Sequence, residues 1–260
     1  MISIGSAQID AWITLFIFPL ARILAFVASA PLWSTAGIPR RTHLIMGIAI
    51  SLAIAPSLPA MPDVQPASLS GLWIMLQQML IGIGMGFSAR IVFAAFDLAG
   101  EFIGFQMGLG FATFFDPLSS SQTPVVAEFY GLIALLLFLS MNGHLLYFAT
   151  LAQSFSAIPV GATPLAAASW LNLAELGSKI FSAGLLLALP IVIALMITNI
   201  ALAVLTRAAP QLNIFALGFP LTLLGGFATI AISMHYLATP IQVVFEFAMS
   251  AMLGFAIPGS

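Results

Sequence analysis

The sequence predicts an all-α, polytopic membrane protein of long kinked or broken helices around a buried central loop. Three observations lead there. The first is composition: 62% of the 260 residues are hydrophobic and only 5% are charged, too little charge to cover a soluble domain. The second is segmentation. Apolar runs at 11–33, 44–61, 72–89, 91–115, 129–153, 180–206, 212–236 and 239–258 approach or exceed the length needed to cross a hydrocarbon core of about 30 Å. The third is an irregular stretch, Gly104–Pro124 (GFQMGLGFATFFDPLSSSQTP). Its glycines, triple serine and Asp-Pro step do not suit an ordinary span, and its four phenylalanines do not suit a surface loop. Irregular backbone is not viable against lipid, where its N–H and C=O groups find no partners. The stretch is therefore expected to be buried in protein or to face water, plugging or lining a passage.

Composition also excludes several function classes. The formal net charge is −2, and the only adjacent basic pair is Arg40-Arg41, so no nucleic-acid partner is expected. There are no cysteines, which rules out disulfides and thiolate chemistry. The three histidines, His43, His144 and His235, lack the H-x-x-x-H spacing of a helical metal site. A Ser119–Ser121 run with a distant His144 is a poor basis for an intramembrane hydrolase. No catalysis, metal or cofactor is expected.

In chain order, residues 11–33 read as a retained first span. Ala28-Ser29-Ala30 imitates a signal-peptidase site, but no basic residue precedes the apolar run and Arg22 interrupts it. Loops are expected at 34–43, 62–71 and 154–178, where proline, serine and glycine gather. Pro240 separates the last two apolar runs, which form a tight hairpin or one bent element. No soluble domain or repeat interrupts the chain, so residues 1–260 read as one integral membrane domain. Arg40 and Arg41 put the loop after the first span on the cytoplasmic side. If 91–115 spans fully, Arg207 falls outside. If 91–128 dips in and returns, Arg207 and the C-terminus fall inside, at the cost of Lys179 lying outside. The charge count favours a broken or re-entrant element there.

Residues 72–110 contain no proline and suit one continuous helix, nearly 60 Å long at about 1.5 Å per residue. On it Gly82, Gly86, Arg90, Asp97, Glu101, Gly104 and Gly108 share a stripe roughly 100° wide. Glycines four apart admit a second backbone closely. Charges at membrane depth face a bundle interior or water. Arg90, Asp97 and Glu101 are thus either a structural network, with Arg90 neutralising Asp97, or the lining of a conduit or proton relay. Gly108-Leu109-Gly110 is suited to end the helix. Beyond it Phe111, Phe114 and Phe115 form an aromatic cluster and Asp116-Pro117 sets a turn. The cluster is either a packed core or a gate, since bulky apolar side chains at a constriction exclude water.

Two motifs carry a family resemblance. Gly104-Phe105-Gln106-Met107-Gly108-Leu109-Gly110-Phe111-Ala112, followed by Asp116-Pro117, resembles the central motif of the FliR family of flagellar export-gate proteins. Arg207-Ala208-Ala209-Pro210-Gln211-Leu212-Asn213-Ile214-Phe215-Ala216-Leu217-Gly218-Phe219-Pro220 resembles the family's R-x-x-P-Q-x-N-x-F-x-x-G-F-P signature. Length, apolar profile and Pro39-Arg40-Arg41 also match, so the resemblance covers essentially the whole chain.

The resemblance implies a non-catalytic core subunit of a type III secretion export gate, in the bacterial inner membrane at the flagellar basal body. It implies FliP-like and FliQ-like gate subunits as partners in a helical pore, with FlhB-like and FlhA-like export proteins associated. Flagellar polypeptides would pass through, and membrane lipid would surround the assembly. It implies that Gln106–Gln122 contributes to a plug, with Phe111, Phe114 and Phe115 sealing and Gly108 and Gly110 hinging. In the second motif, Pro210 ends the helix after Arg207, Gln211 and Asn213 cap free backbone groups, and Pro220 kinks the next span. That motif either sets geometry within the chain or contacts a neighbouring subunit. Two other readings stay open: the equivalent gate subunit of a virulence system, and a self-contained secondary transporter coupled through Asp97 and Glu101.

Overall fold

The computed structural model describes residues 6–33, 38–111, 124–161, 167–209, 211 and 214–256. Among them the chain is helical: α1 (Ser6–Ser29), α2 (Arg40–Ile54), α3 (Leu69–Gln106), α4 (Val125–Ser140), α5 (Gly143–Ala157), α6 (Ala167–Ala208), α7 (Ile214–Ser233) and α8 (Ala238–Ala256). Short 3-10 turns occupy Ala55–Ser57, Leu109–Phe111 and Met234–Tyr236. The all-α class is as expected. The helices group into two compact units, one of residues 1–91, 142–177 and 246–260, the other of 92–141 and 178–245.

Two expected boundaries need correction, and one alternative is decided. The apolar runs at 72–89 and 91–115 belong to one 38-residue helix, α3, as the proline-free stretch 72–110 suggested. Arg90 lowers a hydropathy profile but is a good helix former, so it does not interrupt the helix. The span at 129–153 is instead two helices bent by 70°. Asn142 sits between them at φ 56, ψ 28, a left-handed conformation that asparagine tolerates better than most residues. The loop at 154–178 is too long. Once past Pro159 and Pro164, the alanine- and leucine-rich run 167–178 joins α6. Consequently the eight apolar runs do not give eight spans. Among the described residues, Leu69–Gln106, Ala167–Ala208 and Leu217–Tyr236 are long and apolar enough to cross a membrane. The bent α4–α5 pair is a fourth if it counts as one broken span. Helix α2 has only 15 residues and gives way to a 3-10 turn containing Pro56.

The first unit is organised around α1 and the first part of α3. Gly82 and Gly86 bring these helices into backbone contact, as glycines four apart permit. A Cβ at Gly82 would stand 2.2 Å from the Arg22 carbonyl oxygen, and one at Gly86 would stand 2.0 Å from Ser29 Oγ. Arg22 on α1 is wholly buried. Its Nε donates to Gln78 Oε1 (2.8 Å), Nη1 to the Ser154 carbonyl and Oγ (3.0 and 3.1 Å), and Nη2 to the Ile158 carbonyl (2.8 Å). The guanidinium also lies 4.2 Å from the Phe155 ring centroid. All these acceptors are neutral. Two of them are carbonyls at the end of α5, where the helix dipole presents negative charge; the Ser154 carbonyl also accepts from the Ile158 N–H at 2.8 Å, and the Ile158 carbonyl lies past the last helical residue. Arg22 thus caps α5 and ties it to α1 and α3. Tyr147 adds a second tie, its hydroxyl donating to the Ala89 carbonyl at 3.0 Å.

The second unit packs differently. Phe93, Phe138 and Phe245 meet with ring centroids 5.1–6.2 Å apart, and Tyr130, Ala134 and Leu195 are buried. Helix α4 returns antiparallel along α3, pairing Gly104 with Val126, Gly100 with Ala127, Asp97 with Gly131 and Phe93 with Phe138. Gly100 allows the closest approach: a Cβ there would lie 2.4 Å from the Ala127 Cα. Gly184 does the same for α6, where a Cβ would lie 2.9 Å from the Ala95 carbonyl oxygen.

Candidate functional site

The site is the place where α3 stops. Backbone bonds from Met107 to Ile103 (2.9 Å) and from Gly108 to Phe105 (3.0 Å) close the last turn. Gly108 then takes φ 86, a left-handed conformation costly for a residue with a Cβ. The chain enters a 3-10 turn at Leu109–Phe111. Gly108, not Gly110, is therefore the residue whose backbone requires glycine. The chain resumes at Pro124, the N-cap of α4. A Cβ on Gly104 would lie 3.8 Å from Val126 Cβ, so the end of α3 and the start of α4 lie side by side.

Met107 anchors the departing end. Its side chain is fully buried and lies where a Cβ on Gly226 of α7 would fall, 2.5 Å from its Cγ. Its carbonyl accepts a 3.2 Å bond from Thr222 Oγ1, also on α7, and that hydroxyl contacts the Phe219 carbonyl at 3.0 Å. The two sequence motifs therefore meet in space. The first contributes Met107, and the second runs into α7, whose residues Phe219, Thr222 and Gly226 receive it. Thr222 and Gly226 were absent from the sequence-derived site. The available signal was the spacing Gly218, Thr222, Gly226: three small residues four apart, the pattern that lets helices approach closely. All three are buried.

The remaining site residues fall as follows. Gln106 is the last residue of α3 and is half-buried, and Gly110 packs against the Phe105 ring. Phe111 ends the 3-10 turn, but its side chain lies outside what is described. Phe114, Phe115, Asp116 and Pro117 lie outside the described residues, as do Pro210 and Asn213. The glycine and charge stripe on α3 has two fates. Gly82 and Gly86 are consumed in packing against α1, whereas Arg90 and Asp97 are exposed and Glu101 and Gly104 are half-buried. The Asp97 carboxylate occupies space left by Gly131, where a Cβ would be 2.8 Å from its Oδ1. In the second motif, Arg207 is exposed in the last turn of α6, which ends at Ala208 just before Pro210. Gln211 is exposed, Gly218 buried, and Pro220 lies inside α7. The side chain of Phe215 lies outside what is described. Among the described residues, no group of three or more His, Asp or Glu side chains is placed to hold a metal ion.

Comparison with known proteins gives the same direction. The family model for bacterial export proteins, family 1, matches residues 13–248. This chain belongs to that family. Its relatives include the flagellar biosynthetic protein FliR of Escherichia coli (strain K12), 46% identical over 92% of this chain and 91% of the relative. That of Pectobacterium carotovorum is 43% identical over 89% and 88%. That of Bacillus subtilis (strain 168) is 31% identical over 91% and 92%. The chain is thus a membrane protein of the bacterial export family to which these flagellar biosynthetic proteins belong. Its spans are helical, and outer membranes are crossed by β-barrels, so the location is the inner membrane.

Proposed function

We propose that this chain is a core subunit of the flagellar type III protein export gate at the basal body. It helps build the pore through which flagellar polypeptides leave, together with FliP-like and FliQ-like subunits and alongside FlhB-like and FlhA-like proteins. Within it the segment from Gln106 to Gln122 closes the pore. Phe111, Phe114 and Phe115 form the stopper, and Gly108 and Gly110 form the hinge. Arg90, Asp97, Glu101 and the motif from Arg207 to Pro220 serve assembly around it.

One observation carries this reading. A 38-residue apolar helix gives way to a glycine with φ 86, beside the start of α4 and with Met107 held by Thr222 of α7. A firmly held helix end with a sharp glycine joint suits a stopper that must hold still when closed and swing as one piece when open. Phenylalanines on such a loop would exclude water without leaving polar groups at membrane depth.

Purification in mild detergent, alone and with its operon neighbours co-expressed, tests the gate. The expected result is a stable complex with gate subunits; a stable, functional monomer would overturn it. For the seal, deletion of Phe111–Phe115 is expected to make cells that assemble the complex permeable to small ions. Unchanged permeability with normal assembly would remove the plug from the account.

A further inference from the structure

In the second unit α6 and α7 part around a mostly apolar cavity of about 370 Å³. Leu186 and Pro190 of α6 line one side, Thr229 and Ser233 of α7 line the other, and Tyr236 and Pro240 lie at one end. Tyr236 is 76% exposed, so that end is open. Thr229 lies about 10 Å deeper, seven residues away at 1.5 Å each. A Cβ on Gly225 would lie 3.8 Å from Leu195 Cδ2, and the cavity sets 186–191 against 229–236. The two helices therefore run antiparallel, with Leu186 toward the Tyr236 end.

Four of the lining residues form two matched pairs. A proline has no N–H, so the carbonyl four residues before it loses its helical donor. Pro190 does this to Leu186 inside α6, and Pro240 does it to Tyr236. The next bond in register, from the Ile241 N–H to the Leu237 carbonyl, forms at 3.1 Å. Both members of each pair border the cavity, so both missing bonds fall at its wall. The nearby hydroxyls do not fill the gap. Thr229 donates to the Gly225 and Gly226 carbonyls, each at 2.9 Å, and Ser233 to the Ile230 carbonyl at 2.8 Å. A hydroxyl has one proton, so toward the cavity these two offer lone pairs alone. Apart from the exposed Tyr236 hydroxyl, the polar part of the wall is a set of acceptors carrying partial negative charge. At membrane depth such groups require a donor.

The open end also has a defined depth. Leu217–Tyr236 is long and apolar enough to cross a membrane, and Tyr236 is its last residue, at the level where tyrosine meets lipid head groups. We propose that the cavity is a phospholipid site selective for a head group with a primary ammonium. The upper part of one acyl chain fills the space between α6 and α7, and the ammonium donates to the carbonyls that Pro190 and Pro240 leave free. The site goes beyond the gate reading and does not rest on it.

The test compares lipids that differ only in the head group. The full-length chain in mild detergent is given phosphatidylethanolamine or phosphatidylcholine with identical acyl chains, and bound lipid is counted by native mass spectrometry. Both head groups are zwitterionic, but the trimethylated one has no N–H to donate. Phosphatidylethanolamine is expected to be retained about tenfold more strongly, the worth of one charge-assisted hydrogen bond. Pro240→Ala, which returns an N–H to the Tyr236 carbonyl, should shrink that preference and leave phosphatidylcholine binding unchanged. Thr229→Phe, which fills the inner end, should lower retention of both lipids. Equal retention of the two lipids by the natural chain would overturn the proposal, with water meeting the carbonyls instead. So would a preference that survives both substitutions, which would put the lipid elsewhere. The chain has no cysteine, so Ile232→Cys, at the cavity wall, can carry a benzophenone maleimide in membranes containing the co-expressed gate. Lipid adducts are expected there; adducts to a neighbouring subunit would give the cavity to that subunit and overturn the lipid.

Discussion

The two units solve the same problem, holding apolar helices together, by different means. The first uses directed polar bonds. Arg22 ties α1, α3 and the end of α5 through Gln78, Ser154 and Ile158, and Tyr147 reaches the Ala89 carbonyl. The second relies on contact: the Phe93, Phe138 and Phe245 rings, and glycines at 100, 184 and 226 that let neighbours close in. The long-range polar tie at its candidate site is the Thr222 bond to Met107. Directed bonds have one satisfied geometry and fix register, because a buried donor or acceptor left alone is costly. Packing contacts tolerate small shifts. The difference marks two ways of fixing helices: one unit is locked by directed bonds, and the other, which holds α3 and α4 where the loop segment leaves and returns, is held by close packing.

Substitutions can break or sharpen that contrast. The largest effect is expected from Arg22→Met, which strips donors from three buried acceptors and the cap from α5. A loss of about 1–3 kcal/mol for each buried acceptor left alone is expected, read as unfolding in detergent by added denaturing surfactant. Arg22→Lys keeps the charge, but one ammonium cannot span Gln78, Ser154 and Ile158 together, so it should recover only part of the loss. If Arg22→Met unfolds like the wild type, the first unit does not depend on directed bonds. Next comes Gly100→Val, which drives side-chain atoms into the Ala127 backbone. It should cost about 1–3 kcal/mol through forced separation of α3 and α4. Gly177→Ala, where nothing lies within 4 Å, is the matching control and should gain about 0.5–1 kcal/mol from helix propensity. The smallest effect belongs to Thr222→Val, which keeps the shape and removes the hydroxyl, at about 1 kcal/mol. Its more telling readout is local: hydrogen exchange should accelerate at Met107 and Gly108 and not along α5.

Much of this was legible in the chain because it depended on local chemistry. A proline-free run gave the length of α3, glycine at 108 gave its end, and Pro210 gave the end of α6. The close approach at Gly82 and Gly86 followed from spacing alone. What escaped depended on distance or on a weak turn signal. Nothing in the sequence links Arg22 to positions 78, 154 and 158, so a residue read as an interruption of a span turned out to be its fastening. The bend at Asn142 hides inside a run apolar enough to span, with only Asn142-Gly143 to mark it. The start of α6 was masked by nearby prolines, although 167–178 is good helix sequence. Thr222 and Gly226 lie two and six residues beyond the end of the second motif, and their contact with Met107 joins positions more than a hundred residues apart, which local pattern does not reveal.

The central claim is that the loop entered through Gly108 closes the pore. The most direct measurement is ion conductance across a planar bilayer containing the purified gate, comparing the natural chain with Phe111, Phe114 and Phe115 all changed to alanine. The account predicts that the natural complex is closed and the triple variant, equally well assembled, conducts. A triple variant as tight as the natural complex would contradict it.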